Sequence, residues 1–139
     1  MSKTLLDFEY EFDFQLIGLS CHQKDYRLAW FINKELGWEL RKMDNLEVIL
    51  KKGEKESFVR NTFHDKENHL QFDLISNLGS EFYLIPEHRK ADYFIRIDGY
   101  YDNSELSDLL SKLRQIEIVN LAYQIDAEAL KSKNNLHFE

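Results

Sequence analysis

The 139 residues carry 25 acidic against 18 basic side chains, a formal charge of −7, which opposes nonspecific attraction to a nucleic-acid backbone while leaving room for a local basic patch. With 43% hydrophobic residues, including 10 Phe, 7 Tyr and 2 Trp, residues 1–139 read as a single α+β domain with a sizeable core, and extended disorder is excluded. A lone cysteine, Cys21, excludes an internal disulfide, no apolar run reaches bilayer length, and MSKTLLDFEY lacks the order of a secretory signal, so a cytoplasmic protein with no membrane partner is expected.

Residues 6–19 open the fold. Phe8, Tyr10, Phe12, Phe14 and Leu16 share one parity, and Asp7, Glu9, Glu11, Asp13 and Gln15 the other, the period of a half-buried strand. The same run also reads as an arm that pairs with a partner, whereas a base-stacking platform would set cations beside its rings. From residue 20 or 22 the period lengthens: Leu28, Phe31, Ile32 and Leu36 predict an amphipathic helix over 26–36, stopped by Gly37 and packed on by Trp38. Cys21 and His22 adjoin its start, where a thiol can be acidified, but adjacency alone does not orient a nucleophile and its base, and both read as loop or packing residues.

Leu46, Val48 and Leu50 alternate before a turn at Lys51, Lys52 and Gly53. Residues 58–63, 70–75 and 82–85 are the next expected strands, the last ended by Pro86, which has no amide to donate. Tyr93, Ile95 and Ile97 then alternate with Phe94, Arg96 and Asp98, predicting a strand with one face on a core and its end at Gly99. Ser104 is a candidate helix cap ahead of a stripe of Leu106, Leu109, Leu110, Leu113 and Ile116. The helical phase continues through Tyr123 and Ala127 to Leu130, with a break expected between 115 and 124, and the tail beyond about 132 frays unless Leu136 and Phe138 find a pocket. Short loops favour antiparallel neighbours. The expected fold is therefore a five- or six-stranded, largely antiparallel sheet, with an early helix after strand 1 and a C-terminal helical region packed on one face, the other face staying polar.

The connection between the expected strands reads IPEHRKADY at 85–93. It resembles the signature of a bacterial family of small uncharacterised proteins, typical of the Bacteroidetes, named for an Ile-Pro-Glu, spacer, Asp-Tyr motif. Ile85, Pro86, Glu87, Asp92 and Tyr93 match the named positions, and the spacer here has four residues where the family name suggests three. YRLAW at 26–30 and LKSKNNL at 130–136 are similar to the same family. The resemblance implies a bacterial, cytoplasmic protein, and it brings no catalytic residues to transfer.

Glu87, His88, Arg89, Asp92 and Tyr93 are the candidate ligand or recognition residues, since a charged loop folded over a sheet edge gathers acid, base and cation in one place. His64, Asp65 and His69 are metal-like by residue type, but they lack an HExxH or cysteine-pair spacing and read as a solvated turn, so no metal or cofactor is expected. Lys51, Lys52 and Lys55 alternate with Glu54 and Glu56, which oppose a phosphate-binding field, and Lys131 and Lys133 add a small patch at the tail. Trp30 and Tyr123 read as core aromatics of helices. No glycine-rich phosphate loop, zinc-finger spacing or nucleophile elbow occurs. The chain thus reads as a noncatalytic interaction domain, a homodimer or an adaptor for a cytoplasmic protein, burying its aromatic arm or C-terminal region while the loop around Glu87 and Arg89 sets charge complementarity. The alternative is a small-molecule-binding domain or enzyme that uses the polar residues near Pro86. Nucleic acid is the least favoured partner.

Overall fold

Chain order runs β1 (Phe14–Ser20), α1 (Asp25–Leu36), β2 (Arg41–Lys42), β3 (Leu46–Ile49), β4 (Lys55–Phe58), β5 (Arg60–Asp65), β6 (Leu70–Ser76), β7 (Tyr93–Asp98), α2 (Asn103–Arg114) and β8 (Leu121–Ile125). These elements come from a computed structural model that describes residues 14–138. The acidic aromatic alternation at 6–13 lies outside the described residues. Six strands form one antiparallel sheet in the order β2-β5-β6-β7-β1-β8, and β3 with β4 forms a separate hairpin.

Period-two burial sorts the side chains onto two faces. Ile17 and Leu19 of β1, Tyr93, Ile95 and Ile97 of β7, and Leu70, Phe72 and Leu74 of β6 meet Leu28, Ala29 and Ile32 of α1 and Leu106, Leu109 and Leu113 of α2. Both helices therefore lie on one face, as the apolar stripes require. Gly37 takes φ 71° and its amide bonds the Asn33 carbonyl, stopping α1 where a side chain would be strained. Asp102, two residues before Ser104, caps α2 in a reciprocal box with Glu105.

The second face is not polar. Phe14, Leu16, Ile75, Phe94 and Ile125 pack beneath Leu46 and Phe58 of the hairpin, Leu84, Ile85 and Ala91 of the 77–92 connection, and Leu130 and Leu136 of the tail. The tail does find its pocket: Leu136 is fully buried, and the Phe138 ring lies 4.7 Å from the guanidinium of Arg60 and 4.6 Å from that of Arg96. The central strand β7 is consequently covered on both sides, and the charge of Arg96 hides that from a reading of alternation.

Three expected elements differ. Residues 58–63 do not form one strand, because the chain changes sheets at Val59: Phe58 pairs with Leu46, and Arg60 pairs with Ile75. Residues 82–85 are not a strand and contribute a single bridge between Leu78 and Tyr83. The helix after residue 103 stops at Arg114, and 121–125, read as helical, is strand β8 on the open edge of β1. There the backbone groups of β1 need a ladder partner, a nonlocal demand that overrides the local helical phase.

Among the described residues no helix is long and apolar enough to cross a membrane. Phe94 is fully buried on β7 whereas Tyr100 is 84% exposed. Urea denaturation is therefore expected to show a loss of about 3–5 kcal/mol for Phe94→Ala and no more than about 0.5 kcal/mol for Tyr100→Ala.

Candidate functional site at the Pro86 turn

The 77–92 connection leaves β6 and returns to β7 with Leu84, Ile85 and Ala91 fully buried, so its peptide groups there cannot rely on water. One side chain replaces it. Buried Asn77 accepts the Ile85 amide on Oδ1 at 2.8 Å and donates from Nδ2 to the carbonyls of His88 and Ala91, each at 2.9 Å. Its own amide donates to the Asp92 carbonyl at 2.9 Å and its carbonyl accepts the Leu84 amide at 2.7 Å. These bonds draw 82–85 into a staple instead of a ladder. Pro86 then opens a 3-10 turn over Pro86–His88, its fixed φ suited to the first turn position.

Three of the five candidate residues are committed to this architecture. The Glu87 carboxylate accepts the amides of Lys131 and Ser132 at 2.6 and 3.0 Å and the Ser132 hydroxyl at 2.8 Å, fastening the tail to the turn. Partial desolvation opposes its charge, but its own amide and the Ser132 and Lys131 donors outweigh that and hold the carboxyl below its ordinary range. Asp92 accepts the Cys21 amide at 2.8 Å and donates its own amide to the Leu19 carbonyl at 2.7 Å. The Tyr93 hydroxyl donates to the Gln23 carbonyl at 2.6 Å, and burial, reinforced by the neighbouring Cys21 thiol and the Asp25 and Asp92 carboxylates, pushes its phenol up.

His88 and Arg89 turn outward with Lys90. Together with Pro86 and Glu87 on one side and Leu121 and Tyr123 of β8 on the other, they line an open concavity of about 600 Å³. Tyr123 was legible only as a core aromatic; its place at this site depends on the pairing of β8 with β1. Its ring lies across β1 where residue 18 has no side chain, since a Cβ on Gly18 would come within 2.8 Å of the Tyr123 Cζ. The Tyr123 hydroxyl is 3.4 Å from His88 Nδ1. Leu121 is 47% exposed. On the other side of Arg89, whose guanidinium sits 5.4 Å from the Tyr83 ring, a second concavity of about 400 Å³ brings in Lys51 and Lys52 from the β3–β4 hairpin together with Glu54 and Glu81. The arrangement can bind an anion beside an apolar contact. Next to it, the Arg114 Nε donates to the Ala122 carbonyl at 3.0 Å on the outer edge of β8.

The remaining candidates are scattered. Cys21 is buried, and desolvation, reinforced by Asp92 against the Gln23 amide, pushes its thiol up, opposite to activation at the helix start. His64, Asp65 and His69 border a concavity of about 440 Å³, but among the described residues no three His, Cys, Asp or Glu side chains converge as metal ligands. Trp30 is 56% exposed on α1, so it is not a core aromatic. Two polar clusters escaped the sequence reading because each is assembled across strands. Fully buried Asp73 accepts Arg60 Nε at 3.0 Å, Thr62 Oγ1 at 2.6 Å and Gln71 Nε2 at 2.9 Å, with Arg96 alongside. Glu56 accepts the amides of Glu81 and Phe82 and the Ser80 hydroxyl, which hold its carboxyl down to about 2.

Asn77→Leu keeps the branching of the side chain and strips every side-chain bond of the staple, so an equilibrium unfolding titration should show a loss of at least about 2 kcal/mol. For Glu56 the folded pKa of about 2 lies below the ordinary 4.5, so its stabilisation is complete above 4.5 and disappears as pH falls through 2. Thermal melts of wild type and Glu56→Gln are expected to differ at neutral pH and to converge across that window. No protein-family model matches the chain, and no curated protein matches it.

Proposed function

We propose that the chain is a noncatalytic protein-interaction domain, bacterial and cytoplasmic as the IPEHRKADY resemblance implies, acting as a homodimer or adaptor and recognising an acidic segment of its partner at the Pro86 concavity. The observation that carries this reading is the division of labour along 85–93. Asp92 and Tyr93 are spent on backbone partners and Glu87, at the border of the concavity, has its carboxylate occupied by the tail, while His88, Arg89 and Lys90 border the same open surface, floored by Tyr123 and Leu121. Cations beside exposed apolar groups on a chain of net charge −7 favour a negatively charged partner segment over nucleic acid, whose phosphates the rest of the molecule repels.

A small-ligand site, or an enzyme built on it, is the alternative. It is supported by the Tyr123 ring set over Gly18 within reach of His88, an aromatic-polar pairing that also suits a small anion.

Capture from native lysate by the intact protein, with crosslinks mapped by mass spectrometry, separates the two. An acidic partner segment crosslinked to 86–90 or 121–123, weakened about tenfold (~1.4 kcal/mol) by Arg89→Glu and weakened further by added salt, is the expected result. A protein retained equally well by Arg89→Glu would remove the site from this role. Retention of a small molecule alone would establish the alternative.

A further inference from the structure

The chain carries a match for its own concavity. Residues 7–13 read Asp-Phe-Glu-Tyr-Glu-Phe-Asp, four carboxylates alternating with three aromatic rings, and they immediately precede β1. We infer that the partner at the Pro86 concavity is a second copy of this chain, and that the acidic aromatic run 7–13 of each copy docks against His88, Arg89, Lys90, Leu121 and Tyr123 of the other. This inference rests on the interaction reading above and specifies its occupant.

Charge comes first. Two bodies of net charge −7 repel at a distance, so a stable pair of them has to bring acid onto base locally. The run supplies four acids, and the ridge at 88–90 supplies His, Arg and Lys in succession, with Arg89 and Lys90 exposed. Apolar chemistry agrees. Leu121 stands 47% exposed on an edge strand, beside the half-buried Tyr123, and the rings of Phe8, Tyr10 and Phe12 are of a kind that covers such a floor.

Position argues for a second copy over the chain's own run. Phe14 pairs with Asp98, while the concavity lies alongside Gly18, opposite Tyr123, and Ser20, whose hydroxyl donates to the Lys90 carbonyl. Gly18 is four residues along β1, about 13 Å from Phe14 at the strand rise. For its own run to reach the concavity, the chain would have to reverse direction just before Phe14. Reciprocal exchange across a two-fold axis needs no reversal and closes at two copies.

The test uses full-length protein and light-scattering mass. Wild type is expected at twice the chain mass. An arm variant, Asp7→Lys with Glu9→Lys and Glu11→Lys, and a ridge variant, Arg89→Glu with Lys90→Glu, should each run as monomers that still melt cooperatively, at a temperature that no longer depends on protein concentration as that of the wild type does. Mixing the two monomeric variants should restore the double mass, because the positive arm of one then meets the negative ridge of the other and the reverse pair is native. A monomeric wild type, variants that stay dimeric, or a mixture that stays monomeric overturns the inference. If wild type is monomeric yet retains an acidic protein that Arg89→Glu loses, only the self-partner falls; if it retains none, the interaction reading falls with it.

Discussion

A single buried carboxamide holds the 77–92 connection and its concave face together. Asn77 sits where β6 has ended and β7 has not begun, and its side chain satisfies one amide and two carbonyls that the surrounding Leu84, Ile85 and Ala91 seal from water. In an apolar cavity such groups cost far more unpaired than they contribute when paired, so the long connection has one low-energy course. The direction of the Pro86 turn follows, and with it the placement of Glu87 against the tail and of His88 and Arg89 toward Tyr123. The motif at 85–93 is therefore in large part a fold-specifying element, and His88 and Arg89 are the residues that this architecture leaves facing the concavity.

Some of this was legible in the residues. Alternation marks β1 from Phe14 onward and β7 from Tyr93, the three- and four-residue spacing of Leu28 and Ile32 marks α1, and Gly37 marks its end, because each signal is local and unopposed. Residues 82–85 have strand composition, but the competing partner is a side chain in the preceding turn, invisible to composition. Tyr123 falls on a helical phase by coincidence, and only the unpaired edge of β1 decides that 121–125 is a strand. Glu87, Asp92 and Tyr93 stand out as polar residues of a charged loop. Whether such residues face a ligand or a backbone amide depends on where 19–23 and 131–132 arrive, which no spacing within the loop encodes.

The second sheet face shows the cost of that blindness most clearly. Arg96 reads as a solvent residue yet is buried, its guanidinium 4.5 Å from the Phe14 ring and 4.6 Å from the Phe138 ring, with Asp73 and Asp98 as counter-charges. Taking a cation out of water is costly unless rings and carboxylates replace the hydration shell. The cluster draws on β5, β6, β7, β1 and the tail together. It ties the C-terminal residues to the centre of the sheet from one side, while the Glu87 clasp ties them to the turn from the other.

The edges of the sheet have a consequence for the molecule in a crowded cell. At one margin, β2 is only Arg41 and Lys42, both exposed and charged. At the other, the Arg114 side chain has already taken the outward carbonyl of Ala122. An edge whose ladder is interrupted by a bound side chain, or that repels its own image, is a poorer template for adding strand upon strand. The protein can thus present aromatic rings and an apolar leucine at its rim without inviting the open-ended stacking that leads to fibres, leaving side-chain chemistry to set where association stops.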